Sequence, residues 1–220
     1  MSTNFTVFFE GPAEEVLAAR ALELLEAAYW RIGGALGVYP AEVISVVLYT
    51  TEQFRDVTRS PAWAGGLYDG KIRVPVGGAL EHPDELRRVL AHELTHAFVR
   101  SLSVRGVPQW LNEGLAGVFE QTDLAWAEEI VREARSLVPL EQLHGDFGGL
   151  SPGAAAVAYA ESALAARYLL DQAGAAPVVA LLTDLGNRVA FADAFSQRIL
   201  LPYRDFQGAW LAQLRDRQER

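Results

Sequence analysis

His92-Glu93-Leu94-Thr95-His96 limits this chain more than any other stretch, because it asks for a helix and for one particular face of it. Residues four apart on a helix stand one above the other, so His92 and His96 can present both imidazoles to one side. Leu86, Val89, Leu90, Leu94, Ala97 and Phe98 draw an apolar stripe through the same segment. The helix is therefore expected to be buried or half-buried rather than a solvated rod. Imidazoles in such a place need partners, and a single metal ion would serve both, with Glu93 beside the ion but not ligating it. With four histidines and 18 glutamates in 220 residues, chance gives roughly 0.006 such pentapeptides. The plainer alternative, a surface helix carrying two histidines and a solvated glutamate, sits badly with the apolar stripe.

A catalytic zinc needs a third protein ligand and one open position. Pro83 is a favoured first helical residue, and Asp84 and Glu85 suit the positive end of the dipole. The helix should fray near Leu102, where Ser103-Val104-Arg105-Gly106 reads as a turn. Pro108 then opens a second helix through Trp110, Leu111, Leu115, Val118 and Phe119. From His96 to Leu102 the rise is about 9 Å, and from Pro108 to Glu113 about 8 Å. Packed antiparallel, the second helix returns Glu113 to the level of His96 and completes a His, His, Glu set. Read as an exposed residue, Glu113 would leave those matched rises without a purpose.

These residues match a family. The pentapeptide, followed by Pro108-Gln109-Trp110-Leu111-Asn112-Glu113-Gly114-Leu115-Ala116, resembles the gluzincin metallopeptidases of the thermolysin-like MA clan, nearest to the small bacterial peptidase MA-like domains. Gly66-Leu67-Tyr68-Asp69-Gly70-Lys71-Ile72-Arg73-Val74-Pro75 is similar to the strand segment these domains carry before the zinc helix. Ala158-Tyr159-Ala160-Glu161-Ser162, running into Arg167-Tyr168-Leu169-Leu170, is similar to their later helix. By matching position, the resemblance implies one catalytic Zn²⁺ on His92, His96 and Glu113, with Glu93 as general base. Two departures stand out. Sixteen residues separate His96 from Glu113, a shorter connection than in the best-known gluzincins. The acidic residue that many members place one turn after the glutamate ligand is here Gly117; Glu120 is the alternative, or a plain solvated residue. The other large zincin class would need its third histidine and its glycine at Leu102 and Val99, and is excluded.

The mechanism expected of this set is hydrolysis of peptide bonds through a zinc-activated water, with Glu93 taking its proton and passing it to the leaving amine. The developing oxyanion then needs a second electrophile. In the family a tyrosine or histidine from a later helix supplies it, and Tyr159 is the candidate; Tyr168 and His144 are alternatives. Packing alone would equally account for Tyr159, and a surface position for His144. His82 reads as part of the helix entry. No motif for gripping a free amine is visible, which favours endopeptidase action. Two competing readings stay open: a catalytically silent zinc-binding or interaction domain of a larger protein, and a zinc amidase acting on a non-peptide substrate.

Composition narrows partners. Half the residues are hydrophobic, so disorder is not expected. The net charge of −9 offers no basic stripe for nucleic acid or anionic membranes. Cysteine is absent, which removes disulfides and thiolate metal sites, and no apolar run reaches the length of a membrane span. The partner is thus a peptide or protein substrate, and nothing specifies an oligomeric state. Met1 to Glu10 alternates like a strand rather than a signal peptide, which places the chain as it stands in the cytoplasm; an excised domain would be compatible with an extracytoplasmic site.

The fold expected is α+β: a single catalytic domain over 1–220, with a small N-terminal mixed sheet and a helix in 1–80, a mostly helical lobe in 81–220, and the zinc cleft between them. Phe5–Phe9 and Val43–Tyr49 read as strands and Ala13–Leu36 as a long helix. Asp69-Gly70 signals a hairpin between Gly66-Leu67 and Ile72–Val76. Helices are expected at 83–102, 108–122, 124–137, 154–173, 176–185, 189–197 and 203–217, with Gly174 as a stop. Ile72–Val76 is placed at the sheet edge, where Pro75 would be tolerated and an extended peptide could add as a further strand. Trp63, Trp110 and Trp126 are read as core.

Overall fold

The computed structural model describes residues 2–11, 15–59, 65–77, 82–120 and 123–218, with side chains as far as 215. The chain is α+β, a four-stranded mixed sheet followed by a mostly helical remainder. Two compact units are present, Met1–Ser101 and Leu102–Arg220.

In the first unit the order is β1 (Phe5–Phe8), α1 (Glu15–Leu36), β2 (Ile44–Tyr49), α2 (Thr51–Thr58), β3 (Leu67–Tyr68), β4 (Ile72–Pro75) and α3 (Pro83–Leu102). Strands run β1-β2-β4-β3 across the sheet, parallel except for the β3–β4 hairpin. Side chains alternate along each strand, so Ile44, Val46 and Leu48 share one buried face with Ile72 and Val74. Tyr29 of α1 ties that core together. Its ring meets Phe5 edge-on at 5.8 Å and Phe98 of α3 at 5.4 Å, and its hydroxyl donates to the carbonyl of Pro40 at 2.9 Å.

Two features differ from expectation. The strand Ile72–Pro75 is not an edge: β2 flanks it on one side and the two-residue β3 on the other. Pro75 is nevertheless tolerated. Val76 N–H donates to the Tyr49 carbonyl, so by alternation the Pro75 nitrogen faces away from β2, past the end of the Leu67–Arg73 and Tyr68–Ile72 pairs. Helix α2 was not anticipated. Its signal is a capping box, with Thr50 Oγ1 accepting from Gln53 N–H and the Gln53 side chain accepting from Thr50 N–H. The hairpin itself forms as read, with Gly70 at φ 104°, a value costly for any side chain.

The second unit contains α4 (Gln109–Glu120), α5 (Ala125–Glu133), a 3₁₀ turn at Leu140–Leu143, α6 (Pro152–Ala173), α7 (Ala175–Gly186), α8 (Phe191–Ile199) and α9 (Tyr203–Gln218). Helix α4 lies close against α6 because both are small at the contact. A methyl at Gly114 would stand 2.2 Å from the Ser162 carbonyl oxygen, and one at Gly117 3.0 Å from Ala163 Cβ. Trp110 is fully buried and stacks on Tyr203 and Phe206 in an aromatic cluster that includes Phe195, and Leu111 beside it is fully buried too. Burial of each such side chain is worth about 1.5–3 kcal/mol, which helps to hold α4 in place. Gly174 stops α6 at φ 79°. Among the described residues no helix is long and apolar enough to cross a membrane.

Candidate metal centre

Helix α3 begins as the sequence indicates: the exposed His82 contributes its carbonyl as acceptor for the N–H groups of Glu85 and Leu86, and Pro83 is the first helical residue. Leu86, Leu90, Leu94, Ala97 and Phe98 are buried along the stripe. His92 and His96 are half-buried on another side, their ring centroids 4.8 Å apart and nearly perpendicular. Glu93 is buried, with 6 % of its surface exposed. Gly66, just before β3, explains how its carboxylate fits. A Cβ at position 66 would lie 2.7 Å from Glu93 Oε1 and 2.8 Å from its Cγ.

Glu113 is carried on the second turn of α4, only 8 % exposed. The helix entry is fixed by backbone groups, Gln109 N–H donating to the His144 carbonyl at 3.1 Å and Asn112 N–H to that of Pro108. The side chain of Gln109 reaches one turn along and donates from Nε2 to Glu113 Oε1 at 2.9 Å. Ligand atoms of His92, His96 and Glu113 all lie within 4.8 Å of one another. Donors around a tetrahedral zinc are roughly 3.4 Å apart, given bonds of 2.0–2.2 Å. The widest pair would therefore close by at most about 1.4 Å, within reach of side-chain rotations. Two imidazole nitrogens and one carboxylate oxygen are a donor set that zinc accepts, and the count leaves a coordination position for water.

The remaining candidates are placed as follows. Tyr159 is half-buried on α6, its ring edge-on to Phe147 at 5.3 Å. Tyr168 packs against Phe206 and Trp210 at 5.5 and 5.8 Å. The His144 ring nitrogen Nε2 is 3.1 Å from the Tyr203 hydroxyl and the ring meets Phe191 edge-on; partial burial holds its pKa below the usual value. Glu120, half-buried, ends α4. Trp110 is core, Trp126 is half-buried, and Trp63 falls outside the described residues.

Three residues near these elements carry no individual role in the sequence reading. Gln109 had a readable signal, since it stands four residues before Glu113 on one helix. Gly66 had none, because only the tertiary fold brings it to Glu93. The third, Glu161, is 1 % exposed on α6. Both of its oxygens accept from Val138 N–H, at 2.9 and 3.1 Å. Burial pushes its pKa up to about 7, against the opposing effect of that hydrogen bond.

A small mixed sheet, a helical remainder, and two histidines gathered with a glutamate define a metallopeptidase-like, zincin-type fold. The chain matches the family described as the Peptidase MA superfamily over residues 26–214, and it belongs to that family. A comparison with curated proteins finds no match.

Proposed function

We propose that the protein is a zinc-dependent peptidase hydrolysing peptide bonds, with His92, His96 and Glu113 as metal ligands and Glu93 as general base. The observation that carries this reading is the gathering of three ligand atoms within 4.8 Å of one another, with the buried Glu93 carboxylate following the first histidine in α3. Membership of the Peptidase MA superfamily supports it independently.

A bound zinc ion would supply Lewis acidity, polarising the scissile carbonyl and making water acidic enough to attack near neutral pH. The chain's own groups do the rest. Glu93 accepts the proton of the attacking water and returns it to the leaving nitrogen, work worth 10²- to 10⁴-fold in comparable enzymes. Its burial keeps bulk water from competing for that proton. A carboxylate in this role has to be held still, and Gly66 leaves it the space it occupies. Tyr159 is proposed to donate from its hydroxyl to the developing oxyanion. Endopeptidase action within one catalytic domain is the form proposed.

The test is cleavage of a broad peptide library with and without chelator, alongside Glu93→Gln. The reading expects cleavage that chelator abolishes and added zinc restores, and a loss of about 10³-fold in Glu93→Gln with zinc still bound. Retained zinc with no peptide cleaved would overturn it.

A further inference from the structure

We propose that a cavity between α5, α6 and α9 is a binding site for a guanidinium group on an aliphatic stem, such as an arginine side chain. Its volume is about 330 Å³, within the range of ligand pockets. The lining among the described residues lies wholly in the second unit and includes none of the metal-centre residues. Nothing in it depends on a bound metal.

The floor is apolar and aromatic. Leu124 and Leu164 are buried there, Trp210 of α9 has only 2 % of its surface exposed, and Tyr168 of α6 sets its ring 5.8 Å from that of Trp210. Such a floor takes methylene groups and, over its ring faces, a cation. Gln213, three residues after Trp210 on α9, supplies the polar end. Its Oε1 is buried, and no hydrogen-bond donor among the described residues reaches it. A buried acceptor left unpaired is costly, so this atom favours an occupant that brings a donor. Charge decides which donor. Asp123, just before α5, and Asp171 of α6 stand exposed at the cavity against one cation among the described lining residues, Arg167, before Glu128 is counted. An anion would meet that excess of carboxylate, whereas a cation is drawn by it. Of the organic cations, guanidinium suits the place better than ammonium. It is planar, stacks on aromatic rings and is more weakly hydrated, so it loses less on leaving water. Its five donors can serve the Gln213 amide oxygen and still leave N–H groups for the aspartates.

The experiment is isothermal titration calorimetry of the full chain at low salt, where exposed carboxylates are least screened. The probes are N-acetylarginine amide, its neutral near-isostere N-acetylcitrulline amide, and n-propylguanidine. The arginine derivative is expected to bind at least about tenfold more tightly than the citrulline one, and Asp171→Asn and Gln213→Leu should each weaken it about tenfold, the scale of a hydrogen bond to a charged group. Propylguanidine as tight as the arginine derivative would assign the site to free guanidino compounds, and weaker binding would assign it to peptides; both uphold the site. Gln213→Leu should not lower the melting temperature, because an unpaired buried acceptor gives way to an apolar group of similar size. Equal affinity for the citrulline derivative, or no binding of the arginine derivative up to about 10 mM, would overturn the proposal. So would undiminished binding in both variants. A melting temperature lower by more than about 3 °C in Gln213→Leu would overturn it as well, because the amide would then serve the fold.

Discussion

Replacing Gly66 with alanine is the sharpest perturbation available near the candidate base. Gly66 is not among the glycines with positive φ, so an alanine fits the backbone and only its methyl group matters. That methyl would sit 2.8 Å from Glu93 Cγ, 3.0 Å from Cδ and 2.7 Å from Oε1. Carbon pairs settle at about 3.5–4.0 Å, so the Glu93 side chain must retreat by roughly 0.8 Å. A displacement of that order at a reacting group costs about 10²-fold in rate, equivalent to about 2.7 kcal/mol of barrier. The assay is kcat/KM on the best peptide found in the library, with zinc content measured on the same preparation. Because Glu93 is assigned as base and not as ligand, zinc should be retained while activity falls about 100-fold. Activity within threefold of the parent would refute the reasoning. Joint loss of zinc and activity would refute it as well, since the displaced group would then belong to the metal's own shell.

Two further outcomes are expected. Gly114→Ala brings a methyl to 2.2 Å from the Ser162 carbonyl oxygen and 2.8 Å from Ala166 Cβ. Overpacking of this kind costs about 1–3 kcal/mol, or roughly 3–10 °C in melting temperature for a chain of this size; a shift below 1 °C would contradict the close α4–α6 contact. Glu161 has a folded-state pKa of about 7 against 4.5 for the free side chain. Above 4.5 the unfolded chain gives up this proton while the folded one keeps it, so stability falls as pH rises from about 4.5 and levels off above about 7. Glu161→Gln, which keeps an acceptor for Val138 N–H, should therefore leave stability at pH 4.5 nearly unchanged and raise it at pH 8 by up to about 3 kcal/mol. Urea denaturation at the two pH values reads this directly, and an equal change at both would contradict it.

Much of this architecture was legible because it depends on short-range chemistry. Pro83 and the acidic first turn mark the start of α3, and the stripe from Leu86 to Phe98 marks its buried face. Asp69-Gly70 marks the hairpin and Gly174 the end of α6. Ligand atoms of His92, His96 and Glu113 lie within 4.8 Å of one another, and those three residues were legible from the pentapeptide and from the spacing that follows it. What escaped depended on pairing across the chain. Strand order is set by which strands find each other, and nothing local to Ile72–Pro75 discloses that β2 and β3 flank it. Gly66 looks like a loop glycine until tertiary structure sets it against Glu93. The capping box at Thr50 and Gln53 was the exception, a local signal overlooked because α2 is only eight residues long.

Metal stoichiometry in the parent chain and in two glutamate variants tests the central claim most directly. One zinc per chain is expected in the parent and in Glu120→Ala, with essentially none in Glu113→Ala. Full zinc occupancy in Glu113→Ala would contradict the claim that this carboxylate and the imidazoles of His92 and His96 hold one ion between them.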